Sequence, residues 1–264
     1  VFSNKSHGFR PNRSCQTALM QIQRTFTGAN WFVEGDIHAC FDSFDHHVIV
    51  RLLTKRIDDE AFIQLIWKFL KAGYMEQWTY ERTYSGVPQG SGVSPVLCNV
   101  YLNELDKYME KYAEEFNTKA KKKRFATAYK SSVGKAYRYR AKGKEIWDTL
   151  TPEDKKIRCK ALKELERIEK TTTPTVIKDA DYKRMQYTRY ADDFLVGVIG
   201  SKEDAEEIKQ DIKVFLRDKL KLEMSDAKTK VTHTGDRARF LGYDITVSRS
   251  QNLKKTANGK VQRC

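Results

Sequence analysis

The chain has 264 residues, 40% of them hydrophobic, with 49 Lys or Arg against 35 Asp or Glu and a formal net charge of +14. That length supports one large domain or two small ones. No apolar run approaches the ~18 residues of a spanning helix, and Cys15, Cys40, Cys98, Cys159 and Cys264 lack the spacing of a disulfide framework or zinc site.

The opening Val1-Phe2-Ser3-Asn4-Lys5 has no apolar signal region and no initiating Met, so it is read as a fragment of an intracellular protein in a reducing setting. Residues 31–37 predict a buried strand ending at Asp36. A helix follows from near Asp45 to 56, with His46-His47 at its start rather than in a metal site. A second helix is expected over 58–72, with Asp58 as cap, Gly73 past its end, and Ile63, Ile66, Trp67 and Leu70 on its apolar face. Residues 79–84 predict a strand and 86–92 a Gly-rich turn. Ser94-Pro95 then opens a long helix with Leu97, Tyr101, Leu105 and Tyr108 along one side.

Thr151 caps a further helix reaching about Lys170, with Ile157, Ala161, Leu165 and Ile168 as its apolar stripe. Thr171-Thr172-Thr173-Pro174 ends it. Strand-forming residues flank Asp192-Asp193, at 187–191 and 194–198, placing the acids at the turn of a hairpin. A helix from Ser201 to about Leu220 has Ser201 as cap and Asp204 near its third position. Short strands are expected near 230–232 and 240–246. This order is α+β, with helices on one face of a mainly antiparallel sheet.

The charge is unevenly placed. Residues 111–186 hold 22 basic against 11 acidic residues, and the rest of the chain 27 against 24. From Phe116 to Lys144 there are 11 basic residues and no acid, with Tyr129, Tyr137 and Tyr139 among them. Basic side chains neutralise phosphates and aromatic faces stack on bases, which favours nucleic acid over a solvated basic loop. The stretch 117–145 lacks the apolar face a membrane surface would need.

Adjacent carboxylates repel, so Asp192-Asp193 raises the folding cost unless a divalent cation sits there; a solvated turn, which favours Asp in any case, is the plainer reading. If the strand ending at Asp36 lies beside the hairpin, Asp36 and Asp192 converge. That arrangement suits two Mg²⁺ ions, or Mn²⁺, in phosphoryl displacement, with the Ile37 carbonyl as a further oxygen ligand.

Five segments in order carry a resemblance. Gly8-Phe9-Arg10-Pro11-Asn12-Arg13-Ser14, Gly35-Asp36-Ile37-His38-Ala39-Cys40-Phe41-Asp42, Pro88-Gln89-Gly90, Tyr190-Ala191-Asp192-Asp193 and Phe240-Leu241-Gly242-Tyr243 resemble the motifs of group II intron-encoded reverse transcriptases, or maturases. The resemblance implies a right-hand polymerase of fingers and palm. The fingers would take 1–30 and 44–92, and the palm 31–43 and 93–247. A basic insertion at 111–186 would bind intron RNA, and 248–264 would begin the connection to a thumb.

Residue by residue, the resemblance implies Asp36 and Asp192 as metal ligands and Asp193 as the motif's second acid. Phe41 would screen the sugar 2′ carbon and so select deoxynucleotides. Gln89 and Gly90 would lie along the incoming nucleotide. Lys228, with Lys230 as its rival, would stand near the leaving pyrophosphate. Phe240, Leu241, Gly242 and Tyr243 would contact the primer, and Arg10 and Arg13 the template. In the insertion, Lys121, Lys122, Lys123, Arg124, Arg138 and Arg140 would hold RNA. The implied partners are an RNA template with its primer, group II intron RNA and a dNTP, in a bacterial cytoplasm or an organelle and away from membranes. Surfaces left open by a missing thumb leave room for a homodimer. The rival expectations are an RNA-binding splicing cofactor that does not polymerise and, lower, a palm-type cyclic-dinucleotide synthase.

Overall fold

A computed structural model describes residues 2–76, 79–81, 85–87, 91–120, 124–172, 179–248, 253–255 and 261–263. The chain forms two compact units, one of Val1–Thr118 with Lys183–Val247, the other of Lys119–Tyr182 with Ser248–Cys264. No helix among the described residues is long and apolar enough to cross a membrane.

The first unit opens with α1 (Cys15–Thr25), β1 (Trp31–Gly35), α2 (His46–Thr54) and α3 (Glu60–Lys71). A short antiparallel pair follows, β2 (Tyr74–Glu76) with β3 (Thr79–Glu81), and then the long α4 (Ser94–Phe116). The second unit supplies α5 (Thr127–Ile146) and α6 (Pro152–Thr171). The chain then returns as β4 (Arg184–Tyr190), β5 (Asp193–Ile199), α7 (Lys202–Leu220), β6 (Lys230–His233), β7 (Ala238–Phe240) and β8 (Tyr243–Ile245). It closes in the second unit with β9 (Leu253–Lys255) and β10 (Val261–Arg263), which pair antiparallel.

Four strands form one antiparallel sheet in the order β4-β5-β1-β6. Strand alternation sends Val33, Phe194, Val196 and Val198 to one face, where α2, α4 and α7 cover them. Phe32 and Leu195 point to the other face, against Ala18, Ile22 and Phe26 at α1 and Ala238 and Phe240 of β7. The expectation of helices on one face is therefore corrected. The second face is closed by α1, a helix the sequence reading did not include although Ser14 and Thr17 form a reciprocal cap at its start. Gly35 pairs with Phe194, whose ring would lie 2.0 Å from a Cβ at that position.

Other boundaries move by physical detail. Asp59, not Asp58, caps α3 by accepting from the Phe62 N–H at 3.0 Å. The expected strand at 240–246 is the end of β7, a tight turn and β8. Leu241 and Gly242 both have positive φ, 52° and 82°, the geometry of a type I′ hairpin turn. Of the expected strand 79–84, residues 82–84 lie outside the described residues. His46 is buried, its Nε2 2.7 Å from the Gly86 carbonyl oxygen, and so is a packing residue.

In the second unit α5 was not anticipated, because it has no apolar face to detect. It buries Ser132, Ala136 and Gly143 instead, small residues that let α6 approach. The expected stripe of α6 is also corrected. Ile157 and Ile168 are exposed, and the half-buried side is Arg158, Ala161, Leu162 and Leu165.

The first unit is tied together by a buried ion pair. Arg189 on β4 and Asp106 on α4 are both fully enclosed, and two guanidinium nitrogens reach the carboxylate at 2.8 and 2.7 Å. Arg189 also donates to the Ala191 carbonyl at 2.7 Å and to Ser6 Oγ at 3.0 Å. Tyr187 donates to Asp106 at 3.0 Å. Burial works against the guanidinium charge, but Asp106 holds it protonated. Asp106→Ala would leave that charge buried and unpaired, a loss expected at about 3–5 kcal/mol. Urea unfolding measures it, and a loss below about 1 kcal/mol would contradict the role assigned to the pair.

Candidate active site

The site forms where β1 and the β4–β5 hairpin end side by side. Asp36 follows β1 directly, and Asp192 occupies the turn before Asp193 opens β5. The residues after β1 are fixed by a second chain segment. The Ser225 N–H donates to the Asp36 carbonyl at 2.9 Å, and the His38 N–H to the Glu223 carbonyl at 2.8 Å. Ile37 and Met224 sit opposite each other between those bonds, and among the described residues nothing donates to the Ile37 carbonyl.

The same segment carries Lys228. Its backbone N–H donates to Ser225 at 3.1 Å and its ammonium lies 3.1 Å from Asp36 Oδ2. Lys230, on β6, lines a cleft that Asp36 and Lys228 also line, but among the described residues it is Lys228 that forms an ion pair with the acid. The Asp36 partner raises the Lys228 pKa.

Two clefts share Asp36 and Lys228 as a common wall. One, about 560 Å³, also takes in Ile37, Cys40, Phe41 and Asp192. The other, about 310 Å³, takes in Glu34, Asp193, Lys230, Arg239 and Phe240. Burial and the charge of Asp36 raise the Asp192 pKa. Burial, then Asp192 and Asp36, push the Asp193 carboxyl up to about 6. The acids are thus crowded beyond what one exposed lysine offsets.

The surroundings explain how the site is held. Ala191 adopts φ 54°, turning the chain between the strands. Gly8 packs directly on it, and a Cβ there would lie 2.3 Å from the Ala191 nitrogen. The buried Asn99 amide donates to the Gly8 carbonyl at 2.9 Å. Phe41 is set by Gly86 and Val87, whose N–H groups donate to Phe44 and Phe41 at 2.7 Å each. Its ring meets Phe9 edge-on at 6.2 Å and Phe44 at 6.0 Å.

Other candidate residues are placed as follows. Arg10 donates to the Ser3 and Ser6 carbonyls and Arg13 to Asn4, so both brace the segment before Gly8. Phe240 is buried in the core, whereas Gly242 and Tyr243 are exposed at the β7–β8 turn and Leu241 is half-buried. Arg124 pairs with Asp179 and Asp181, and Arg140 with Glu166, while Arg138 is exposed. Gln89, Gly90, Lys121, Lys122 and Lys123 lie outside the described residues. Sequence reasoning passed over Asn99, Asp106 and Arg189. A lone Arg inside an otherwise buried strand was the available signal for the last.

The sequence model for the reverse transcriptase (RNA-dependent DNA polymerase) domain matches residues 1–129 and 161–245. This chain belongs to the reverse transcriptase family. The group II intron-encoded protein LtrA of Lactococcus lactis is 45% identical over 100% of this chain and 42% of its own length. The putative COX1/OXI3 intron 1 protein of Saccharomyces cerevisiae is 42% identical, over 99% of this chain and 30% of its own length. The chain thus spans less than half of either relative. Among solved structures, a telomerase from Candida tropicalis, truncated from its C-terminal domain, aligns with a TM-score of 0.51 and 12% identity, over 99% of this chain and 41% of that one. That likeness shows the fold, a fingers-and-palm polymerase architecture.

Members of the reverse transcriptase family generally use divalent metal ions. Among the described residues no three His, Cys, Asp or Glu side chains form a ready cage for one. The donor set nevertheless fits Mg²⁺, which takes one or two carboxylates and completes its shell with water and phosphate oxygens. Asp36, Asp192 and the Ile37 carbonyl line one cleft as hard oxygen donors.

The crowding has a consequence for stability. The Asp193 pKa is raised in the fold from 3.8 to about 6, so its stabilising contribution is complete below pH 3.8 and is lost as pH rises through about 6. Without divalent cations, Asp193→Asn is expected to raise stability at pH 8 by about 1 kcal/mol, a value reduced for partial solvation, and to change little at pH 4. Thermal unfolding in EDTA at both pH values checks this.

Proposed function

We propose that this chain carries the active site for RNA-directed DNA synthesis in an intron-encoded protein that also binds its intron RNA. A primer 3′-oxygen would attack the α-phosphorus of a deoxynucleoside triphosphate, forming a new P–O bond. The bond from that phosphorus to the β-phosphate bridging oxygen breaks, pyrophosphate leaves, and the hydroxyl proton passes to solvent. The observation that carries this reading is the meeting of Asp36, Asp192 and Lys228 on one cleft that Phe41 also lines.

In this reading Asp36, Asp192 and the Ile37 carbonyl hold Mg²⁺. Bound there, the ions would lower the pKa of the attacking hydroxyl and stabilise phosphate charge. Lys228, on the exposed side, neutralises charge on the departing pyrophosphate. Phe41, whose ring packs against Phe9 and Phe44, would screen the ribose 2′ position and so favour deoxynucleotides. Leu241, Gly242 and Tyr243, beside the second cleft, suit the primer strand. Positioning and electrostatics do most of the work, as expected for phosphoryl transfer.

RNA binding is supported separately by the second unit, where residues 119–182 hold 19 Lys or Arg against nine Asp or Glu. The names of the relatives, intron-encoded proteins of a bacterium and a yeast, agree with an intracellular role on intron RNA.

Primer extension by the full polypeptide on an RNA template with Mg²⁺ tests the reading. Asp192→Ala is expected to slow extension by roughly 100-fold or more while RNA binding persists. Wild-type protein that folds and binds RNA but does not extend would favour a splicing cofactor without polymerase activity. Phe41→Ala is expected to improve ribonucleotide use relative to deoxynucleotides by on the order of tenfold. An unchanged ratio in single-nucleotide incorporation would remove Phe41 from sugar selection.

A further inference from the structure

The second unit contains a cleft of about 430 Å³ that none of the catalytic residues touches. It opens between α5, α6 and the single 3₁₀ turn Trp147–Thr149 that joins them, and is lined by Tyr139, Gly143, Lys144, Trp147, Arg158 and Leu162. Its size is that of a small-ligand site. The lining combines the Tyr139 and Trp147 rings with three cations, Arg140, Lys144 and Arg158, against one carboxylate, Asp148. Arg158 lies over the Tyr139 ring at 4.5 Å and donates one Nη to the Tyr139 carbonyl at 3.2 Å. Its Nε is buried over Gly143 with no hydrogen-bond partner among the described residues, and its other Nη likewise has none. The guanidinium is therefore held in place without its donors being used up. The Trp147 indole stays 40% exposed at the mouth, with the Lys155 ammonium 5.6 Å from its ring centre.

We propose that this cleft receives one unpaired RNA nucleotide, its base against Trp147 and its oxygens on Arg158 and Lys144. Extruded bases are recognised by aromatic and guanidinium planes, and adjoining phosphates by basic side chains. Charge complementarity favours this ligand, since the surrounding 119–182 segment holds 19 Lys or Arg against nine Asp or Glu, a surplus of ten positive residues. An apolar protein segment would fill the rings but leave the Arg158 and Lys144 donors unanswered. The inference rests on the reading that this unit binds RNA, and adds where and how an unpaired base is distinguished from a paired one.

The test uses the full chain and three RNA hairpins at fixed salt: one with a single-nucleotide bulge, one fully paired, and one with an abasic residue at the bulge. Fluorescence anisotropy is expected to show the bulged hairpin bound roughly tenfold more tightly than the other two. Trp147→Ala should bring it to the level of the paired hairpin, whose own affinity should not change. Gly143→Leu fills the cleft, where even a Cβ would come within 3.1 Å of Arg158 Nε, and should act the same way. If Gly143→Leu unfolds in a thermal melt, Trp147→Ala alone decides. Equal binding of bulged and abasic hairpins by wild type, or a preference that survives Trp147→Ala, overturns the proposal while RNA binding stands. An apolar protein occupant would give that same equality. Failure to bind any of the three hairpins would instead remove the RNA-binding reading beneath it.

Discussion

The Arg189–Asp106 pair is the constraint on which the first unit depends. A guanidinium without solvent needs every donor matched, and the partners of this β4 side chain come from three places: α4, the Ala191 turn and the segment at Ser6. Meeting that need fixes the distance of the long helix from the sheet and the shape of the turn that carries the acids. An apolar pair of equal volume could fill the space, but it would not specify where the turn carbonyl must point. The backbone of the Ser6 region is bound into the same arrangement. His7 donates to the Arg189 carbonyl at 2.8 Å, and Arg189 donates to Lys5 at 2.9 Å.

Above this neutralised interior sits a surface that is not neutralised. Three carboxylates gather at the strand ends, and the one lysine paired with them among the described residues is exposed. A fold selected for stability alone would separate those acids. Here the rigid support beneath them keeps like charges close, so the electrostatic strain is available to attract a cation. Glu34 shows the contrasting case one position before Gly35. Its carboxylate accepts from Thr232 and from the Arg239 N–H at 2.8 Å, which holds β1, β6 and the start of the β7–β8 hairpin together.

Much of this was legible in the residues. Strand ends at Asp36 and around Asp192 follow from β-branched and aromatic runs, and Ser201 with Asp204 marks the start of α7 through its reciprocal cap. What escaped was structure without an apolar signature. The helix α5 buries Ser, Ala and Gly against its neighbour, so its sequence reads as a basic stretch. The intramolecular contacts of Arg10 and Arg13 were hidden for another reason. A sequence shows their charge but not the backbone carbonyls of residues 3–6 to which their donors turn. Ile157 and Ile168 show the converse, a regular apolar spacing that stays on the surface.

The distance along the chain between partners has a consequence for how the protein is made. Ser6 and Arg189 are 183 residues apart, and Ala29 and Thr234 are 205 apart. The strand β1 is central in the sheet, yet both its neighbours are synthesised long after it. At translation rates of about 5–20 residues per second, its edges wait roughly 10–40 s for their partners. During that time Phe32 and Val33 have no sheet to enter, and local helices such as α2 and α3 are the structure available. Codon-dependent pauses or a bound chaperone acting before residue 190 is made would therefore alter the yield of folded protein more than the same events acting later.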